Sequence, residues 1–231
     1  MIKNIVNVFR FIKKFLVATI VFFVPIKICW PLLSFFGFEV DRGARVGFSF
    51  VWVSRLALAE TASIGHFNLI NCRDLRLSAG AYIGMLNVIL GPFDLILGPR
   101  SGVGTSNTVS RARHLVDSNS ALKLGYLSKI TSNHKLDCFD CISFGDFTTL
   151  AGSGSQLWTH SYKHDKEGPG RNESSAEIII GNNVYIGSGS ILTAGITIGS
   201  SIGIGPGALV TKSLLKSGQY LQAPPMLISV D

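Results

Sequence analysis

Residues 180–210 repeat every six positions. Ile180, Ile186, Leu192, Ile198, Ile204 and Val210 hold one phase, and Val184, Ser190, Ile196, Ile202 and Ala208 hold a second phase four residues later. Gly follows the first-phase residue at Gly181, Gly187, Gly199 and Gly205. A helix would return its apolar face at spacings of three and four, so this period does not describe one. It describes short flat strands joined by tight turns. Gly and Asn at the corners, as in Gly181-Asn182-Asn183, are expected to supply left-handed backbone there. A coil of such strands cannot bury its inner face alone, so the chain is predicted to stack coils into a solenoid whose axis is the core.

The signature runs upstream with slips. Leu56/Leu58, Leu75/Leu77, Leu95/Leu97 and Leu122/Leu124 begin coils, and Ile64-Gly65, Ile83-Gly84 and Val103-Gly104 follow six residues after three of them. Ile70, Ile89 and Val109 come six later again. Three hexads thus make one coil of 18 residues, with one or two extra residues at a corner, since Leu58, Leu77 and Leu97 step by 19 and 20. Roughly eight coils are expected, about 4.8 Å apart. Counting four past Ile64, Ile83 and Val103 gives Asn68, Asn87 and Asn107, and the same count from Ile130 gives His134. Stacked Asn side chains predict an internal amide ladder, with His134 as a structural core histidine. His66 and His114 are expected at the surface or at corners.

Composition narrows the function. The 231 residues carry 25 Gly, 47% hydrophobic residues, only 15% charged residues and a net charge of +7. That is too apolar for disorder, and the surplus of cations suggests anionic partners. No dense basic tract or nucleic-acid motif is present, so nucleic acid is not expected as a partner. Cys29, Cys72, Cys138 and Cys141 are too few for a disulfide framework. The Cys138-x-x-Cys141 pair has no second pair to make a metal site, so the cysteines read as small core residues.

The run Ile180-Gly181-Asn182-Asn183-Val184-Tyr185-Ile186-Gly187 and the later Val210-Thr211-Lys212 resemble the hexapeptide-repeat acyltransferases, over about residues 40–212. Within that superfamily the chain resembles the sugar O-acetyltransferases of surface-polysaccharide synthesis and the maltose and galactoside acetyltransferases. The resemblance implies an all-β, left-handed parallel β-helix, usually a homotrimer. The hand comes from the resemblance alone, because parallel crossovers in general favour the right hand. It also implies acetyl transfer from acetyl-CoA, as co-substrate, to a hydroxyl of a sugar or polysaccharide precursor.

The pattern breaks between Leu157 and Ile178, and Phe144 to Ile180 spans 36 residues. A polar loop at 158–177 is expected there, interrupting a rigid scaffold where function is commonly placed. It holds His160 and His164. An alcohol is a weak nucleophile at neutral pH and needs a general base, which imidazole can be. By resemblance the base is the histidine that opens this loop, His160. His164 is the alternative, since His164-Asp165 resembles the Ser-His-Asp of some polysaccharide acetyltransferases. The tetrahedral oxyanion is expected to take a backbone N–H from a neighbouring coil. By resemblance Ser188, Pro206, Thr211 and Lys212 match coenzyme-contacting positions, Lys212 facing the phosphates, and Pro206 lacks the N–H that the more usual Ala would bring. Other readings stay open: N-acetylation of an amino-sugar nucleotide, a non-catalytic β-helix, and a γ-class carbonic anhydrase. The last needs three converging imidazoles, and no third histidine joins His160 and His164. No metal is expected.

Residues 1–38 form an apolar segment and 213–231 a C-terminal tail. The uncharged run 15–26 is too short to span a bilayer. With Lys13, Lys14, Lys27 and dense aromatics, the segment reads either as an interfacial anchor or as a cap on the open end of the solenoid. The anchor implies a cytoplasmic protein held peripherally on the cytoplasmic face of the inner membrane.

Overall fold

A computed structural model describes residues 2–111 and 120–222, with side chains described from residue 11 onward. His114 and the tail beyond residue 222 lie outside the described residues. Two helices, α1 (Ile2–Phe23) and α2 (Ile26–Phe35), precede a parallel β-solenoid that begins at Glu39–Val40. Its three faces are columns of paired strands. Face one stacks Val40, Leu58, Leu77, Leu97, Leu124, Phe144, Ile180 and Ile198. Face two is a nine-stranded sheet that includes Ile64, Ile83, Val103, Ile130, Leu150, Ile186 and Ile204. Face three stacks Val51, Ile70, Ile89, Val109, Leu136, Leu157, Leu192 and Val210. All these side chains are buried, as are the second-phase Val184, Ser190, Ile196, Ile202 and Ala208, so both phases of the hexad are borne out. The stack also continues past residue 212. Leu214 bridges Ile198, and Gly218–Tyr220 pairs with Ile202–Ile204, giving nine rungs where roughly eight were expected.

Corner backbone is left-handed at Asn183, Gly189 and Gly207, as expected, but the glycines that directly follow first-phase residues play a different part. Gly65, Gly84 and Gly104 do not have positive φ. They stack on one another, and a Cβ on Gly84 would overlap the Gly104 carbonyl of the next coil. Left-handed backbone lies two residues later, at Phe67, Leu86, Ser106 and Asn133. The stack above holds these non-glycine residues in a conformation they rarely choose alone.

The amide ladder is present. Asn68, Asn87 and Asn107 are at most 3% exposed. Asn87 donates its backbone N–H and its Nδ2 to Asn68 Oδ1, at 2.9 and 3.0 Å. Asn107 does the same to Asn87 Oδ1, at 2.9 and 3.2 Å. His134 continues the column by donating its N–H to Asn107 Oδ1. Its Nδ1 accepts the Ser155 N–H at 3.1 Å, so that nitrogen carries a lone pair, and Nε2 meets Thr131 Oγ1 at 3.0 Å. Burial pushes the His134 imidazole down to about 4.

The irregularity of the chain is concentrated on one edge. Face one to face two takes six residues in every coil traced above. Face three to face one takes 7, 7, 8, 15, 8 and 23 residues before settling to 6 between Leu192 and Ile198. The extra residues therefore accumulate along the edge between faces three and one.

The helices close the N-terminal end. Val17 and Val21 of α1 and Ile26, Cys29 and Leu33 of α2 join the solenoid core. Pro25 ends the first helix and caps the second. Lys13 lies over the Phe38 ring at 4.9 Å rather than pointing away from the protein. Opposite the buried stripe, Phe11, Phe15, Phe23, Ile28 and Phe35 are exposed. Among the described residues, no helix is long and apolar enough to cross a membrane.

His134 ties stability to pH. Its folded-state pKa lies below the unfolded value, so the unfolded chain takes up the proton first. Stability is full above about pH 6.5, falls by up to about 3 kcal/mol as pH drops toward 4, and levels off below. His134→Asn continues the Asn column without a titrating ring. Thermal melts at pH 7.5 and pH 5 are expected to show a smaller loss in this variant than in the parent chain.

Candidate active site

The break after Leu157 is a two-stranded antiparallel ribbon, His160–His164 paired with Arg171–Ser175, and not the loop expected. Its side chains explain the order. Arg171 stacks on the Tyr162 ring at 4.6 Å, Tyr162 donates its hydroxyl to Glu173 at 2.8 Å, and Asn172 donates to Asp165 at 3.1 Å. The ribbon leaves the solenoid on the edge between faces three and one.

His160 sits where ribbon meets scaffold. The residue before it, Thr159, is fully buried, takes an N–H from Asp140, and donates to the Asp137 carbonyl at 2.7 Å. His160 Nδ1 lies 2.6 Å from Asp137 Oδ2. A buried carboxylate that accepts the Thr159 N–H acts as an acceptor, so Nδ1 carries the proton and Nε2 the lone pair. The Phe139 ring packs at 4.8 Å and Tyr162 stands edge-on at 5.6 Å. The imidazole is 19% exposed and Asp137 is 7% exposed, so the pair is held from below and open above. The neighbouring Cys138 thiol is pushed up by burial first and by Asp137 second, which removes it as a nucleophile. His164 is exposed at the distal end of the ribbon, paired in register with Arg171.

Asp137 was not singled out from the sequence. Its signal there is slight: a carboxylate directly after the inner-face Leu136, one coil below the break in the repeat.

The four positions expected to contact coenzyme divide between two edges, and all four are exposed. Ser188 and Pro206 stack on the edge between faces two and three, where Gly207 donates its N–H to the Ser188 carbonyl at 2.8 Å. Thr211 and Lys212 lie above His160 on its own edge and line an open cavity of about 220 Å³ with Leu214 and Tyr220. The remaining described histidines are apart from this site: His66 is an exposed corner residue that accepts the Phe48 N–H, and His134 is in the core. Among the described residues, no group of three His, Cys, Asp or Glu side chains is placed to hold a metal.

The tautomer can be checked directly. Nitrogen-15 NMR of the neutral His160 ring is expected to show a pyrrole-type Nδ1 and a pyridine-type Nε2. A predominant Nε2–H tautomer would contradict the hydrogen bond to Asp137.

No protein-family model and no curated protein matches the sequence. Among solved structures, the chain is similar to the polysialic acid-specific acetyltransferase NeuO, at 16% identity and a TM-score of 0.51, over 83% of this chain and 79% of that one. It is also similar to the polysialic acid O-acetyltransferase OatWY, at 16% identity and a TM-score of 0.50, over 83% of both chains. A mutant of AntD, an N-acyltransferase from Bacillus cereus, overlays at 18% identity and a TM-score of 0.47, over 71% of this chain and 80% of that one. The chain shares the parallel β-solenoid fold of these two acetyltransferases.

Proposed function

We propose that the protein is an acetyl-CoA-dependent O-acetyltransferase acting on a saccharide hydroxyl, with His160 as general base. The observation that carries this reading is the His160–Asp137 pair at the place where, among the described residues, a ribbon interrupts the stack. NeuO and OatWY, which share the fold, are acetyltransferases of a polysaccharide by title, and this supports the acceptor class.

In this mechanism His160 Nε2 takes the proton of the acceptor hydroxyl as its oxygen attacks the thioester carbonyl. The carbon–sulfur bond then breaks, and His160 returns the proton to the departing coenzyme thiolate. Asp137 is a positioning residue. It holds the Nδ1 proton and offsets the charge that the ring carries between the two transfers. Thr211 and Lys212 contact the coenzyme along the same edge, with the Lys212 ammonium toward its phosphates. His160→Ala is expected to lower kcat by two to four orders of magnitude with the fold retained, and His164→Ala to leave it within about threefold. Asp137→Asn should lower kcat about 10- to 100-fold while KM for acetyl-CoA stays unchanged, because Asp137 touches neither substrate. The reverse pattern, an inactive His164→Ala beside an active His160→Ala, would reassign the base.

The division of the coenzyme residues between two edges supports a homotrimer. One subunit's Ser188 and Pro206 would meet the neighbouring subunit's His160, Thr211 and Lys212, placing three sites at the boundaries of a cyclic assembly. Tyr185 and Leu209 are exposed within strands of faces two and three, and only Phe147 stands at a corner. Light scattering at micromolar concentration is expected to give three times the mass of the chain. A monomer that still transfers acetyl groups would refute shared sites.

A further inference from the structure

A second cavity, of about 450 Å³, opens on the same edge as His160, near the N-terminal end of the solenoid. It is lined by Lys14 of α1 together with Ser54, Asn71, Arg73, Gly91 and Pro92 of three successive corners. The mechanism above does not use it.

Its surroundings are cationic and apolar at once. Arg73 forms a two-pronged pair with Asp94, at 2.7 and 2.9 Å. Asp74, 2% exposed, is bound by both Arg55 and Arg76. Lys14 and Arg73 line the cavity itself, and the guanidiniums of Arg55 and Arg76, held on Asp74 directly after Arg73 in the chain, reach solvent. On α1, Phe11 and Phe15 are four residues apart on one side of the helix, 60% and 56% exposed, and Phe11 neighbours Lys14 one turn away. They are three residues before and one after Lys14, so a polar, positively charged cleft adjoins an exposed aromatic surface. A free phosphate would use the cleft and leave the aromatics idle. An amphiphile uses both.

We propose that this cleft binds the phosphate head of an anionic lipid, with Phe11 and Phe15 entering the acyl region beside it. The protein then sits on a membrane with its N-terminal end down. The cleft follows the first three rungs and His160 follows the sixth, so the base stands about 14–24 Å along the edge from the headgroup. The anchor is the charge complementarity of the cleft with the phosphate plus the apolar contact of α1. This site does not depend on the acyl-transfer chemistry, and its test does not read it.

The test is co-sedimentation of the full-length chain with vesicles. One set is phosphatidylcholine alone and the other contains about one third phosphatidylglycerol. Binding is expected to the anionic set and to be weak to the neutral set. Lys14→Ala and Arg55→Ala are each expected to weaken it about fivefold, and Phe15→Ser by tenfold or more. Lys216→Ala removes the same charge at the far end and is expected to leave binding unchanged, which excludes attraction by net charge alone. Arg55 is on the surface, so its variant reads the site even if Lys14→Ala disturbs the cap. Equal binding to both vesicle sets, or equal losses for Lys216→Ala and Arg55→Ala, would overturn the proposal. So would saturable binding of inorganic phosphate by calorimetry with no binding to vesicles.

Discussion

The parallel register between coils governs the rest of this structure. Each rung hydrogen-bonds to the one below in register, and the buried amides of Asn68, Asn87 and Asn107 bond along the same direction. A residue inserted within a strand would turn every following side chain to the wrong side. Extra residues can therefore go only where strands end. In this chain they go almost wholly to the edge between faces three and one, while the step from face one to face two stays at six. Among the described residues, that edge carries the cationic cleft, the ribbon, the His160–Asp137 pair and the Thr211-Lys212 end.

Much of the fold was legible in the sequence, because a core shared by identical coils must repeat its pattern. The inner-face positions, the Asn column and the continuation through His134 could be read by counting in sixes. The glycine after each first-phase residue was legible as a corner but not in its role. Pattern alone cannot separate a backbone that needs positive φ from one on which the next coil lies. Gly84 serves the second purpose, and Phe67 and Leu86 are held left-handed by the stack. The ribbon at His160–His164 was read as a loop because its residues are polar on both sides. Its pairing rests on cross-strand contacts such as Tyr162 with Glu173, which have no period.

The candidate site was half legible. His160 could be found because it opens the break in the repeat. Asp137 could not, because it belongs to the coil below, and its distance of 23 residues along the chain hides a contact of 2.6 Å. In a solenoid, the partner of a functional residue is found about one coil away, and the length of that coil depends on its corner insertions. The N-terminal segment was read as either an anchor or a cap. The structure gives it the cap's contacts through Val17, Val21, Ile26 and Leu33, and it also leaves the opposite side aromatic and exposed.

The arrangement orders the proposed chemistry along one line, with the lipid-facing end below, the base midway and the coenzyme residues above. The measurement that tests its central claim most directly is the release of free thiol from acetyl-CoA, followed with and without saccharide acceptors. The account predicts slow release by the protein alone and a rise of at least tenfold with an acceptor whose hydroxyl reaches His160. No binding of coenzyme A, together with thiol release no faster than in buffer across a panel of acidic and neutral saccharides, would contradict it.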